Sequence, residues 1–210
     1  MSQARAHSLA RGRRLGRSLA RLMAALAVVA LALSGGAAAD QSAPAAAGVD
    51  GDAGAPAKRE YLIKAAILYN FAKFTRWPDA AFADADAPLD LCVIGVDPFG
   101  KALATIDGKR VGAHPLRTQL IADAAKVARC HLLFVSASEA ERLGDILAAT
   151  NGGAVLTVAD LPGFARSGGV ITLNVVEDRI RFDVNRSAAD RAGLTLSAKL
   201  LRLAETVIQD

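Results

Sequence analysis

The sequence contains no C-x-x-C pair, no H-E-x-x-H segment, no G-x-S-x-G elbow and no Walker loop. Those absences remove the common dithiol, zinc-protease, serine-hydrolase and nucleotide-binding readings. Histidine is scarce, with only His7, His114 and His131. His114 precedes a proline in a loop-like stretch, and His131 lies in an apolar strand-like run. Neither stands in a metal-ligand motif, Cys130 beside His131 being a lone neighbour, so the expectation is no metal and no catalytic role. A hydrolase or oxidoreductase has no nucleophile–base motif to rest on. Two cysteines are too few for a disulfide-dense miniprotein. The uncharged apolar run at 22–33 is about 12 residues, short of the roughly 20 that a bilayer span needs.

Acidic residues are missing from the first 39 positions, which hold six arginines (Arg5, Arg11, Arg13, Arg14, Arg17 and Arg21). The net charge of +4 over 210 residues therefore divides unevenly. The first 39 residues carry +6 and the rest −2. A basic segment, an apolar run and the small residues Ala37-Ala38-Ala39 read as a secretory signal peptide over residues 1–39, with cleavage expected after Ala39, the alternative being an uncleaved signal anchor. The residues after Arg13-Arg14 fit twin-arginine export poorly, and no cysteine near the cleavage site could carry a lipid. Residues 40–57 are mostly Ala, Gly, Pro, Asp and Ser with three acids, and read as a flexible linker. The folded domain is expected over 58–210, close to neutral and large enough for one core. Nothing remains of the basic character that would suggest a nucleic-acid partner.

Within the domain, residues 60–74 read as a helix with an apolar stripe at Ile63, Ile67, Phe71 and Phe74. Trp77-Pro78 follows as a stop. Buried strands are expected at 89–95, 130–135 and 154–158, with a weaker one at 116–120. Residues 170–176 and 179–184 form a hairpin around Glu177-Asp178. Asp97-Pro98 reads as a cap opening a helix to Ala104. Ser138-Glu139-Ala140-Glu141 reads as a capping box before a helix carrying Leu143, Ile146 and Leu147. A last helix is expected over 197–208, with Gly193 separating it from a shorter one. Together these predict a single α/β domain: a mixed parallel/antiparallel sheet of about six strands flanked by helices.

Few residues stand out chemically. Two cysteines in an exported domain suggest one intramolecular disulfide, Cys92–Cys130, the alternative being two buried thiols. Tyr69, Phe71, Phe74 and Trp77 cluster around one helix end, mostly as core. Trp77, beside a proline, is the member expected to reach the surface, making Phe74, Trp77 and Pro78 a candidate partner-binding patch. A second reading, a small-molecule sensor or carrier, would use Asp97 and Gly100 at a strand-to-helix turn. The paired glycines Gly152-Gly153 and Gly168-Gly169 read as cap and turn residues.

Several blocks together resemble the YfiR-type periplasmic proteins, the DUF4154 family. They are Lys64-Ala65-Ala66 running into Leu68-Tyr69-Asn70-Phe71-Ala72-Lys73-Phe74 with Trp77-Pro78, then Leu91-Cys92-Val93-Ile94-Gly95 with Asp97-Pro98-Phe99-Gly100. Cys130 and its strand, 155–160 with Phe164 and Gly168-Gly169, 182–185 and 197–201 continue the match. The resemblance implies a periplasmic α/β protein without enzymatic activity or cofactor. It also implies a regulator that represses an inner-membrane diguanylate cyclase through that protein's periplasmic sensory domain. Cyclic-di-GMP signalling and biofilm formation would fall. On that reading the membrane is met only through the partner, and a homodimer is compatible. Cys92 and Cys130 match one cysteine pair of the family. The second pair found in some members has no counterpart here.

Overall fold

A computed structural model describes residues 54–209. The expected signal peptide and residues 40–53 of the expected linker lie outside the described residues. The first described element is helix α1, Ala55–Phe74. It takes in the last three residues of the expected linker, because Pro56 in the first turn presets a helical φ where no N–H is needed. The helix ends as Thr75 turns extended.

Ten strands follow: β1 Thr75–Arg76, β2 Leu89–Ile94, β3 Arg110–Val111, β4 His114–Ile121, β5 Leu132–Val135, β6 Leu156–Ala159, β7 Ile171–Val176, β8 Arg179–Asn185, β9 Thr195–Leu196 and β10 Thr206–Ile208. Three short helices lie among them: α2 Leu143–Ala149, α3 Arg186–Arg191 and α4 Ala198–Leu203. The main sheet has the order β10-β8-β7-β6-β5-β2-β4-β3. The five strands from β7 to β4 run parallel, β8 is antiparallel to β7, and β3 is antiparallel to β4. All six expected strands are present, and β3 and β10 bring the sheet to eight. β1 and β9 form a separate antiparallel pair.

The expected last helix stops at Leu203. The β-branched run Thr206-Val207-Ile208 instead pairs in parallel with β8, and the Glu205 N–H donates to the Phe182 carbonyl. The expected capping box does not form. Residues 137–142 make a 3-10 turn before α2, and Ser138 is spent elsewhere. The helix expected after Asp97-Pro98 is a 3-10 turn, Gly100–Thr105. His114, expected in a loop, is the first residue of β4.

Strand β2 lies inside the parallel array, between β5 and β4, and is buried along its whole length. Leu91 and Val93 face the larger core, which includes Leu68, Phe71, Phe99 and Phe134. Cys92 and Ile94 face a smaller core with Val127, Ile146, Val155 and Phe164. Helix α1 covers the first core with Ala65, Leu68, Phe71 and Ala72, while Ile63 is 46 % exposed. The expected stripe is thus rotated: two alanines let the helix approach the sheet closely, and the larger Ile63 is turned outward.

The hairpin turn holds Glu177 and Asp178 at φ 49° and 57°, as a two-residue turn of matching twist requires. In the smaller core, a Cβ on Gly169 would collide with the Phe164 ring. Gly169→Ala should therefore destabilise the fold by about 1–3 kcal/mol through overpacking. Gly144, in α2 with open space around it, should gain about 0.5–1 kcal/mol on becoming alanine. Urea unfolding of the two variants checks both signs.

Candidate functional site

The carboxyl ends of parallel strands are where open α/β sheets bind ligands, above all where the chain changes direction along the sheet. Here that switch lies between β2 and β5, and the structure closes it with its own groups. The Ser136 hydroxyl donates to the Val96 carbonyl (2.7 Å), and the Val96 N–H donates to Ser138 Oγ (2.9 Å). Gly95, at φ 93°, packs where a side chain would strike Ser138 and Glu139. Asp97 and Gly100 share one shallow groove beside this point. The Asp97 carboxylate is already taken, accepting the N–H groups of Phe99 (2.8 Å) and Gly100 (3.1 Å). Both residues thus help build their own turn.

The expected partner patch also changes. Trp77 is 7 % exposed, and its indole N–H donates to the His131 carbonyl (3.1 Å). A buried indole needs an acceptor, and here it finds one in the chain entering β5. Phe74 is half-buried under the Lys199 ammonium (5.0 Å), and Pro78 is exposed. The three do not form a common apolar patch, because its largest member belongs to the core.

One cluster escapes sequence reasoning. Lys64 is 2 % exposed in the face of α1 that meets the sheet. Its ammonium lies 2.6 Å from Asp160 Oδ2 and 2.5 Å from Glu60 Oε1. The Tyr61 hydroxyl donates to the same Asp160 oxygen (2.8 Å). Burial alone would lower the Lys64 pKa, but the hydrogen bonds to both carboxylates overcome it and hold the ammonium charged above its ordinary range. Burial, then the Asp160 hydrogen bond, pushes the Tyr61 phenol up to about 12. The cluster ties α1 to the residue that follows β6. Its one sequence signal is Glu60 four residues before Lys64; Asp160 is 96 residues away.

A shallow groove of about 640 Å³ opens beside it, bordered by Tyr61, Val175 and Val176. A neighbouring groove of about 590 Å³ is lined by Arg59, Ile63, Val175 and Ile180. Val175 is 52 % exposed. The start of α1 and the tip of the β7–β8 hairpin thus share a surface on which Ile63, Val175 and Val176 are exposed beside Arg59, Glu60 and Asp178.

Cys92 and Cys130 are joined as a disulfide, with Cα atoms 5.9 Å apart. It links the middle of β2 to the approach of β5 inside the smaller core, and the Gln119 amide rests on Cys92 Sγ (3.3 Å). The DUF4154 family model, described as YfiR/HmsC-like, matches residues 61–205. The chain belongs to this family. The matched span of the YfiR/HmsC-like domain holds both cysteines and, except for Glu60, the Lys64 cluster. The family is periplasmic and is known as regulatory rather than catalytic, which supports a general regulatory role for this member.

No curated protein matches the chain. Two solved structures are similar to parts of it. One is a conserved domain protein from Vibrio cholerae (11% identity, TM-score 0.41). The other is the ABC domain in complex with L-Trp from Streptococcus pneumoniae (9% identity, TM-score 0.41). Each match covers 57% of this chain, and 54% and 55% of the respective structure. The match thus spans about half of either structure's length.

Removing the disulfide by Cys92→Ala with Cys130→Ala should lower stability by about 4 kcal/mol, the loop-entropy value for a crosslink between cysteines 38 residues apart. Denaturant unfolding of the double variant against the oxidised protein measures it. Lys64→Ala should cost about 3–5 kcal/mol, because it leaves Asp160 buried without its cation. The same unfolding experiment reads that loss.

Proposed function

We propose that this chain is a non-enzymatic periplasmic repressor of an inner-membrane signalling protein, a diguanylate cyclase controlling cyclic-di-GMP and biofilm formation. It would bind the cyclase's periplasmic sensory domain after export and cleavage behind Ala39. The observation that carries the reading is the YfiR/HmsC-like match across 61–205. The closed switch point supports it over a ligand-binding reading, because the usual crevice is filled by the protein's own hydrogen bonds. The surface on which Ile63, Val175 and Val176 are exposed is the face offered to the receptor.

The mechanism is a population shift. A regulator that binds the inactive receptor state better than the active one moves the equilibrium by that difference in affinity. About 1.4 kcal/mol of preference changes the ratio of states tenfold at saturation. No catalytic group is required of the regulator.

Co-expression with the candidate cyclase should lower cellular cyclic-di-GMP severalfold, and periplasmic crosslinking should capture the pair. Ile63→Asp and Val175→Asp, at exposed positions, should weaken capture tenfold or more, taking about 1.4 kcal/mol per tenfold. Unfolding midpoints of these variants should stay near that of the parent. Crosslinking that captures no membrane signalling protein, with cyclic-di-GMP unchanged on deletion, would overturn the reading.

A further inference from the structure

Residues 78–88 join α1 to β2 at the amino ends of the parallel strands. Their backbone hydrogen bonds are short-range, from Ala81 to Pro78, Phe82 to Asp79 and Ala87 to Asp84. Among the described residues, the segment's hydrogen bonds to the rest of the chain end on two histidines. His131 Nε2 donates to the Ala81 carbonyl (3.0 Å), and His114 Nδ1 donates to the Ala87 carbonyl (2.7 Å). Between them Phe82 is sandwiched by both imidazoles. Its ring lies 3.7 Å from His114 and 4.4 Å from His131, with interplanar angles of 8° and 13°.

His131 is 8 % exposed, and both of its ring nitrogens are committed. The Asp90 backbone N–H donates to Nδ1 (3.0 Å), so the proton sits on Nε2. The arrangement holds only a neutral imidazole. A second proton would set an N–H on Nδ1 against the Asp90 N–H, two donors 3.0 Å apart. The face of Phe82 attracts a cation, but that clash lies in the plane of the imidazole, where stacking gives no relief.

We propose that residues 78–88 are a strap that opens when His131 is protonated, making the amino end of the sheet a pH-responsive element. Opening lets the imidazolium reach water and uncovers Phe82 beside Trp77. The inference goes beyond the repressor reading and stands without it.

The groups facing His131 set the direction. Burial lowers its pKa below the 6.5 of a free imidazole. The Ala81 carbonyl and the Asp90 carboxylate oppose that, while His114 and Arg117 reinforce it. Asp90 is itself held by the Arg117 guanidinium at 2.5 and 2.8 Å. Asp79, Asp84 and Asp86 of the strap are exposed. A group whose folded pKa is depressed below its free value stabilises the closed form above that free value. The stabilisation fades as pH falls from 6.5 toward the folded pKa.

Amide hydrogen exchange and tryptophan fluorescence of the purified protein, from about pH 7.5 to about pH 5.5, test the proposal around the free imidazole value. Trp77 is the chain's one tryptophan and hydrogen-bonds the His131 carbonyl. After correction for intrinsic rates, exchange within 78–88 should be flat above pH 6.5. Below it, exchange should rise about tenfold per pH unit until the closed form itself takes the proton. Trp77 emission should change over the same interval. His131→Asn keeps an acceptor for the Asp90 N–H and cannot titrate, so the response should vanish. His114→Gln should retain it. If His131→Asn does not fold, Phe82→Ala removes the anchor with His131 in place, and its strap should exchange fast at both ends of the range. Exchange and emission unchanged across the range, a response surviving in His131→Asn or abolished in His114→Gln, or a strap still protected in Phe82→Ala would each overturn the proposal.

Discussion

Burial of β2 on both faces is the constraint from which the other features follow. A strand flanked by β4 and β5 and covered by two cores has no polar face to spare. Its side chains alternate between the core under α1 and the core holding the disulfide. Polar chemistry is therefore confined to its two ends. At the carboxyl end, Gly95 and the serines behind β5 close the crevice. At the amino end, Asp90 meets Arg117 through its side chain and His131 through its backbone.

The two ends differ in what they hold. The carboxyl end is closed by its own hydrogen bonds, and the Lys64 cluster stands one strand further along, after β6. The amino end carries the titratable imidazoles and the single indole. His131 is the junction there: its carbonyl accepts from both Trp77 and Leu156, and its ring fastens the strap. A regulator built this way keeps its core invariant and places its adjustable contacts around the rim.

What could be read from the sequence follows the range of each interaction. β2, β5 and β6 were legible because burial on both faces leaves continuous apolar runs, and β8 because its wet face leaves alternation, whereas β4, buried mainly at Leu116, left a weaker trace. The cysteine pairing was legible because only two cysteines exist. The fate of 206–208 was not, since Val207 continues the helical stripe of Leu200, Leu203 and Ala204, and only pairing with β8 makes it a strand. Trp77 was misread because its acceptor lies 54 residues away. The role of Lys64 is not marked locally because Asp160 is farther still. The face of α1 was misjudged because size alone favours Ile63, whereas close approach to a sheet favours Ala65 and Ala72.

The ends of the large sheet carry a further consequence. A long unpaired strand edge is a template for neighbouring chains. β3 has two residues and β10 three. Beyond β3, the outer edge of β4 is occupied by the chain itself: Gly108 and Lys109 bond Leu116, and the Asp107 carboxylate takes the Thr118 N–H. Residues 179–181 of β8 run on past the last edge strand, but the sheet ends in very short strands at both margins, which limits the ladder open to edge-to-edge pairing.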